Sequence, residues 1–494
     1  MNFQIYNTPR APPPPDNLLK KYIWRNLNGE SNNLNMPSLG MSNTNLIRVA
    51  ETEQLSAPNP RTISDLICYN PTPIENTKQL SNMTWIFGQF IDHMIVQVHT
   101  DPTRPDDIKI PSDASAYPNY TIPFNRSLPE QPNSLSAFID GTAIYGSENS
   151  RSLHLRRLDG SGELRLTAER LLPYNTDNFP NEDQHSPNPS SFFIAGDTRV
   201  NENVFLTAIH TLFAREHNYQ CSILKESHPT YKEELLFQHA KKMVVGEIQH
   251  ILWEEFLPVL VGPVNTSSLN YDSSVDPSIA TEFSTVGFRI GHGMIPSNVD
   301  PTRPLRDLFF NPQYVASQGI EAILQNAMNS RMKEIDGTLV EDLRTFLFGP
   351  PSQMKLLDLA ALNIQRARDH QIPTFNQLRQ AYGLPQLYSF AQITSNPQQQ
   401  QNLEEVYSDI DSVDPWIGAI LEDHCPGGVV GPTIKAILVE QFTRLRKGDR
   451  FWYDQDQSLT AMDRNKIKHT SLSDIIKRNT TLTEVPSDVF HTQR

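Results

Sequence analysis

Helical periodicity limits the folds open to this chain more than any other feature. Apolar residues recur at helical spacing from Phe237 to Trp253, and Pro258 follows the end of this stretch. They share one stripe of a helix: Phe237, Ala240, Met243, Val244, Ile248 and Ile251. Similar patterns predict helices at residues 356–370, 432–445 and 305–309, the last followed by Asn311-Pro312.

Strand signals are scarce, because few alternating β-branched runs end in Asn-Gly or Asp-Gly turns. The 38 prolines favour long ordered loops. No Gly/Ser linker, repeat or charge block divides the chain. We therefore predict a mainly α fold, a single large helical domain with little β. Residues 1–28 are predicted to form an extended proline-rich arm, and residues 29–494 the domain.

Charge and hydropathy exclude several classes of partner. The formal charge of −14 argues against nucleic acid and anionic membranes, which both require basic patches. No apolar run approaches the roughly 20 residues that span a bilayer. Residues 1–6 lack the basic and apolar regions of a signal peptide, so the chain is expected to be soluble, either cytoplasmic or secreted with the signal removed. Three widely spaced cysteines fit neither a disulfide framework nor a CxxC metal site.

Residues 85–93 carry the first chemical signal. Gln89 and His93 are four residues apart and share a helix face, with Asp92 beside them. An amide, a carboxylate and an imidazole in one small volume suit a metal, a proton transfer or a bound cofactor. Taken alone, the same residues also fit a polar helix face with a structural histidine.

Three further clusters accompany this one. Arg199 and Glu202 lie three residues apart within residues 196–203, and the other two clusters are residues 287–293 and 362–370. In this order, and together with residues 136–148, 215–218, 422–424 and 448–453, they resemble the animal haem peroxidases of the peroxidase–cyclooxygenase superfamily. The resemblance extends from about Gly29 to about Tyr453 and is nearest to compact bacterial and invertebrate members.

The resemblance implies haem b and an enzyme that uses hydrogen peroxide to oxidise phenols and other one-electron donors, or halides and thiocyanate, through a ferryl intermediate. His93 matches the catalytic base, and imidazole suits a proton shuttle near neutral pH. Arg199 matches a fixed cation that stabilises developing negative charge. Gln89 would hold a water or a halide through its amide NH₂.

The same resemblance assigns the residues that hold the haem. His292 matches the axial ligand of the iron, and Asn363 matches the acceptor for its second ring nitrogen. Arg289 matches a propionate-binding arginine, and Arg366, three residues after Asn363, is expected beside it. Asp92 and Glu202 match two carboxylates that form ester links to haem. A third link needs a methionine after the glutamate, and this chain has Asn203.

Calcium is the point at which the chain departs from the family pattern. The resemblance implies a calcium loop made of Ser136, the main-chain oxygen of Phe138, Asp140 and Thr142. The aspartate that usually follows the catalytic histidine is replaced by Met94. A thioether is a poor ligand for calcium, so calcium binding is doubtful.

Two other functions stay open at this point. A fatty-acid dioxygenase of the same superfamily would carry a radical-forming tyrosine three residues before the axial histidine, where this chain has Arg289. An adhesive or structural haem protein with little activity is the other, and Lys447-Gly448-Asp449 resembles an adhesive tripeptide. The sequence leaves the electron donor, the organism and the oligomeric state undetermined.

Overall fold

The computed structural model describes residues 23–55, 57–114, 117–182, 188–264, 269–348 and 356–493, so residues 1–22 of the predicted arm lie outside the described part. The protein is mainly helical, as predicted. Its α-helices are α1 (Pro60–Ile67), α2 (Met83–Ile95), α3 (Thr142–Tyr145), α4 (Asn149–Leu155), α5 (Val204–Ser227), α6 (Glu233–Ile251), α7 (Leu257–Val261), α8 (Thr281–Thr285), α9 (Pro312–Asn329), α10 (Glu341–Arg344), α11 (Leu359–Asp369), α12 (Phe375–Ala381), α13 (Pro397–Val406), α14 (Pro415–Leu421), α15 (Pro432–Lys447), α16 (Ala461–Lys468) and α17 (Leu472–Asn479).

The strands are short and form antiparallel pairs. They are β1 (Thr44–Asn45), β2 (Thr100–Pro105), β3 (Ile108–Lys109), β4 (Thr121–Ile122), β5 (Asn125–Ser127) and β6 (Pro132–Asn133). Strand β1 pairs with β6, β2 with β5 and β3 with β4. Such pairs gain their stability from packing against the helices, because an isolated pair is marginal in water.

The predicted helix over residues 237–253 continues further than its proline suggested. Helix α6 passes through one π turn, Leu252–Phe256, into α7, which contains Pro258 near its start. Proline has no N–H to donate, and the π turn shifts the hydrogen-bond register just before it. The predicted helices at 356–370 and 432–445 appear as α11 and α15, whereas residues 305–309 contain only the 3₁₀ turn Leu305–Asp307.

Helix α5 forms the centre of the core and positions α2. It packs against α2, α6, α9 and α17, and its first half is buried on all sides. Phe90 of α2 stacks on Phe213 of α5 with ring centroids 4.9 Å apart. Burial of each large apolar side chain contributes about 1.5–3 kcal/mol. The contact between Phe90 and Phe213 holds α2 against α5.

Among the helices of the described ranges, none combines the length and the apolar character needed to cross a bilayer.

Candidate active site

The four sequence clusters converge on one cavity of about 650 Å³. This volume is in the range of sites that bind cofactors and other small molecules. Its walls include eight of the predicted residues: Gln89, Asp92, His93, Arg199, Glu202, Arg289, His292 and Arg366. Asn363 does not line the cavity but contacts His292, which does. The tertiary structure therefore brings these eight residues to the wall of one cavity.

His93 is buried near the end of α2, with 5% of its surface exposed. Its Nδ1 lies 3.6 Å from Asp197 Oδ1, and this nitrogen has no hydrogen-bond partner among the described residues. Burial, followed by the nearby Arg199 cation, lowers the pKa of His93 well below 6.5. The imidazole is therefore neutral at physiological pH and able to accept a proton.

Arg199 is held in place by Asp197. Its Nε and Nη2 donate to the two carboxylate oxygens at 3.0 and 2.8 Å, and Nη2 also donates to the His93 carbonyl at 3.3 Å. Burial alone would raise the pKa of Asp197, but Arg199 lowers it to about 2. Asp197 in turn raises the pKa of Arg199. At neutral pH the two side chains form an ion pair joined by two hydrogen bonds at the cavity wall.

A short amide chain joins α2 to the start of α5. Gln89 Nε2 donates to Glu202 Oε1 at 2.8 Å, and Asn203 Nδ2 donates to Gln89 Oε1 at 2.9 Å. Asn203 also caps α5, because its Oδ1 accepts from the Leu206 N–H at 2.8 Å. Loss of such a cap costs about 1 kcal/mol. One N–H of Gln89 is therefore already used by Glu202, which leaves the other for a ligand.

Within the described residues, neither Asp92 nor Glu202 forms an ion pair. No described residue donates a hydrogen bond to the Asp92 carboxyl group, and Asp92 lines the cavity. Burial raises the pKa of Asp92 to about 6, although Arg199 and Arg289 act in the opposite direction. Burial likewise raises the pKa of Glu202 to about 7. Two carboxyl groups that are hard to ionise thus lie on the wall of one cavity.

Arg289 and His292 lie in the 3₁₀ segment Gly287–Met294, in which residues three apart share a face. Asn363 connects them: Arg289 Nη1 donates to Asn363 Oδ1 at 2.7 Å, and Asn363 Nδ2 lies 2.8 Å from His292 Nδ1. Arginine can only donate, so the amide oxygen faces Arg289 and the amide nitrogen faces His292. The predicted pairing is present, but in this arrangement Asn363 donates to the imidazole, the reverse of the predicted direction.

Arg366 lines the cavity but does not join this chain. It donates to Ser127 Oγ and to Asp369 Oδ2, both at 2.9 Å, and to the Asn125 carbonyl at 3.0 Å. These contacts hold β5 against α11. Arg366 is thus a wall residue with a second positive charge near Arg289, and this charge contributes, after burial, to lowering the pKa of Arg289 to about 10.

Met94 packs against the loop that the resemblance assigns to calcium. The Gly141 N–H lies 3.3 Å from Met94 Sδ, and Met94 is fully buried. Gly141 has a φ of 79°, a conformation that favours glycine. Asp140 accepts from the Thr142 N–H at 2.8 Å and from the hydroxyls of Ser136 and Thr142. Phe138 is buried in the same loop.

Two residues of the sequence clusters, Asp197 and Asn203, position other side chains of the site, although the sequence pattern indicated no such role for them. Asp197 orients Arg199, and Asn203 orients Gln89. The sequence contained one indication for Asp197, which is an acidic residue two positions before Arg199, the predicted catalytic cation. No local pattern predicts the contact of Asn203 with Gln89, which lies 114 positions earlier in the chain.

Comparison with known proteins decides the family. Residues 24–490 match the family model described as animal haem peroxidase. The chain belongs to the animal haem peroxidase family. It is 33% identical to peroxinectin A of Dictyostelium discoideum, over 92% of this chain and 93% of that protein. It is also 33% identical to human eosinophil peroxidase, over 94% of this chain and 76% of that protein.

Solved structures agree with this assignment. Peroxidase A from Dictyostelium discoideum superposes with a TM-score of 0.90 at 31% identity, covering 95% of this chain and 99% of that one. The fatty acid alpha-dioxygenase of Oryza sativa reaches a TM-score of 0.79 at 21% identity, which shows a shared fold alone. As a member of the animal haem peroxidases, this protein is a haem-binding oxidoreductase.

The cavity residues fit a haem. One cavity of suitable size is lined by the imidazole of His292, by two arginines, Arg289 and Arg366, and by the carboxyl groups of Asp92 and Glu202. The rest of its wall includes the apolar residues Phe256, Leu260, Phe288, Leu343 and Leu347. Haem needs an axial nitrogen, cations for its propionates and an apolar surround, and each of these is present.

Proposed function

We propose that this protein is a peroxidase that reduces hydrogen peroxide at a haem in the main cavity and oxidises small reductants. The observation that carries the proposal is the pairing of a neutral His93 with an ionised Arg199–Asp197 unit on the wall of the cavity that also contains His292. When bound, haem iron supplies the electron-transfer chemistry of both half-reactions. The protein supplies proton transfer, charge stabilisation and binding.

His93 is the proposed proton shuttle. The neutral imidazole takes the proton from one oxygen of hydrogen peroxide and returns it to the other oxygen, which leaves as water. Its low pKa supports this role, because the base is unprotonated before peroxide arrives. Arg199 stabilises the negative charge that develops as the O–O bond breaks, and Asp197 fixes the guanidinium so that little reorganisation is needed. Gln89 orients peroxide, water or a halide through its remaining N–H.

His292 would hold the haem iron through a ring nitrogen, with Asn363 as its partner. If Nε2 is that nitrogen, the ring proton is on Nδ1, and Asn363 would then present its oxygen to that proton. Rotation of the Asn363 side chain about its last bond would exchange the positions of Oδ1 and Nδ2. The amide nitrogen would then face Arg289, and because both groups are donors their hydrogen bond would be lost. We therefore expect Arg289 to pair with a haem propionate. Arg366, on the same wall, is the second cation available for the propionates.

Asp92 and Glu202 are proposed to form ester links to methyl carbons of the haem. Each link replaces the carboxyl O–H bond and one methyl C–H bond by a C–O bond, and the two protons and two electrons released reduce one hydrogen peroxide to two waters. Both acids line the cavity, and raised pKa values of about 6 and about 7 provide a population of neutral acid near physiological pH. Asn203 has no sulfur, so a sulfonium link at that position is not expected.

Calcium is proposed to bind weakly or not at all. Among the described residues no cluster of three or more histidine, cysteine, aspartate or glutamate residues is suited to a metal, and Asp140 is the one carboxylate of the loop. Met94 accepts a hydrogen bond from Gly141, which supports a contact between helix and loop in place of an ion.

Two alternatives are less well supported. A fatty-acid dioxygenase would need a tyrosine at the position of Arg289, and the Arg289 guanidinium donates a hydrogen bond to Asn363. An adhesive function would need the tripeptide Lys447-Gly448-Asp449 to be accessible. Asp449 is fully buried and pairs with Arg25 at 2.9 Å, so the tripeptide is not available to a receptor.

One experiment separates these functions. The haem-loaded protein is examined by absorption spectroscopy before and after one equivalent of peroxide, and then with a panel of phenols, iodide, thiocyanate and a long-chain fatty acid. A peroxidase reacts with peroxide within milliseconds to seconds and recovers its resting spectrum when a donor is added. Oxygen consumption with the fatty acid, and no donor oxidation, would instead favour the dioxygenase.

A further inference from the structure

The main cavity reaches the protein surface beside the start of β2. Among the described residues that line it, three are exposed: His99, Thr100 and Glu182. Thr100 begins β2 and pairs with Ser127 of β5, which also lines the cavity. An opening therefore lies between this pair of strands and Glu182, and a reductant that enters there meets these side chains first.

Glu182 is held at this opening by hydrogen bonds. Its N–H donates to the Thr198 carbonyl at 2.9 Å, and its Oε1 accepts from Gln97 Nε2 at 3.1 Å. Gln97 Nε2 also donates to Thr198 Oγ1 at 3.3 Å, and Ser134 Oγ donates to Gln97 Oε1 at 3.2 Å. One carboxylate oxygen is therefore fixed by the protein, whereas Oε2 receives no hydrogen bond from any described residue.

Glu182 forms no ion pair with the part of the chain that the structure describes. Burial is the largest influence on its carboxyl group and raises the pKa. Arg199 and His99 act to lower the pKa and Asp197 to raise it, but Arg199 and Asp197 already form an ion pair with each other. Although Glu182 is an exposed residue, its carboxyl group is thus surrounded closely enough for a cationic ligand to stabilise the ionised form.

The other charges of the cavity wall are accounted for by the proposed haem contacts. Asp92 and Glu202 become neutral in the proposed esters, and Arg289 and Arg366 are assigned to the propionates. Glu182 is then a charge of the wall that a reductant can still use. The formal charge of the whole chain, −14, has the same sign. A negative charge at the mouth of a cavity attracts cations and repels anions.

We propose that Glu182 determines which reductants the protein uses, by selecting aromatic donors that carry a protonated amino group over anionic donors. The inference rests on the proposed peroxidase function and narrows its class of reductant. The ammonium group donates a hydrogen bond to Glu182 Oε2, and the aromatic ring enters the cavity past Val98, an apolar residue of its wall. Iodide and thiocyanate are repelled by the same carboxylate.

Equilibrium binding to the haem-loaded protein tests the proposal without turnover. Tyramine, p-ethylphenol and p-hydroxyphenylpropionate share a phenol ring and carry a positive charge, no charge and a negative charge. Each is titrated at low ionic strength and about pH 8, where histidine of ordinary pKa is neutral, while the haem absorption is recorded. We expect tyramine to bind most tightly and p-hydroxyphenylpropionate most weakly.

Three variants assign this preference to one side chain. Glu182→Gln should weaken tyramine binding and strengthen p-hydroxyphenylpropionate binding by about 2–5-fold each, the effect of one exposed charge pair. Glu182→Lys should reverse the order of affinity. Glu226→Gln is the matched control with the same change of charge, since Glu226 is exposed near the end of α5, about 33 Å along the helix from its start at the cavity.

Steady-state oxidation of the same phenols is the second measurement. The ratio of kcat/KM for tyramine to that for p-hydroxyphenylpropionate should fall about 4–25-fold in Glu182→Gln and stay unchanged in Glu226→Gln. Equal wild-type affinity for the two charged phenols, or an unchanged preference in Glu182→Gln, overturns the proposal. The peroxide reaction of the wild type is followed separately by stopped flow without a donor. Its absence refutes the proposed function, whereas a normal peroxide reaction without a preference for tyramine refutes this inference alone.

Discussion

The carboxylate of Asp197 accepts two hydrogen bonds from the guanidinium of Arg199, at 3.0 and 2.8 Å. The same carboxylate lies 3.6 Å from His93 Nδ1. One buried acid therefore sets the position of the proposed catalytic cation and the electrostatic surroundings of the proposed catalytic base. Arg199 and Asp197 act on His93 in opposite directions: burial and the Arg199 cation lower the pKa of the imidazole, and the Asp197 carboxylate raises it.

Replacement of His93 by alanine should slow the reaction with peroxide about 10²–10⁴-fold. In the wild type the folded-state pKa of His93 lies well below 6.5, so the neutral base persists as pH falls. We therefore expect a peroxide rate constant that stays level as the pH falls through 6.5 and is lost only well below it. Stopped-flow absorption measures it, with His469→Ala, an exposed histidine, as the control. An unchanged rate in His93→Ala contradicts the assignment.

Replacement of Arg199 by glutamine should slow peroxide reduction about 10²–10³-fold. It also removes a cation that lowers the pKa of His93, so the acid limb of the pH profile should move to higher pH. Asp197→Asn tests the positioning role. It removes a charge that raises the pKa of His93, so the rate should fall without that upward shift. Identical pH profiles in the two variants would count against this electrostatic arrangement.

Removal of the proposed axial ligand by His292→Ala should abolish or strongly weaken haem retention. Asn363→Asp is the finer test, because a carboxylate makes the ligand more basic than an amide does and should lower the midpoint potential of the haem iron. Haem content and spectroelectrochemical titration measure the two effects. Full haem content with a wild-type spectrum in His292→Ala excludes this histidine as the ligand, and an unchanged potential in Asn363→Asp excludes Asn363 as its acceptor.

The haem should resist extraction into acidic organic solvent after turnover with peroxide. The double variant Asp92→Asn, Glu202→Gln should release it, because neither amide can form the ester. Each single variant should retain one link. Mass spectrometry of turned-over wild-type protein measures the adducts, and the detection of free haem alone would reject the esters.

Chelators should leave haem content and activity of the wild type unchanged. Met94→Asp should create calcium affinity, because it adds a carboxylate beside the oxygens of Ser136, Phe138, Asp140 and Thr142. Calcium-dependent stabilisation is measured by thermal unfolding, with Met462→Asp as the control at a methionine that is 67% exposed. About one calcium per wild-type chain after exhaustive chelation would show that another ligand completes the site.

The sequence alone determined those features that depend on local geometry. Gln89 and His93 share a face because α-helical residues four apart always do, and Arg289 and His292 share one because a 3₁₀ turn has three residues. The helical fold followed from the apolar periodicity, and the chemical meaning of the clusters came from their joint resemblance to one family. The continuation of α6 into α7 was missed because a π turn is not visible in apolar spacing.

Only the tertiary structure decided which polar groups pair and in which direction. Asn203 meets Gln89 across 114 residues, and Arg289 turns the Asn363 amide so that its nitrogen faces His292. Hydrogen bonds of this kind depend on distances of a few tenths of an ångström between distant segments. Such distances are set by the packing of the whole core, and no local pattern encodes them.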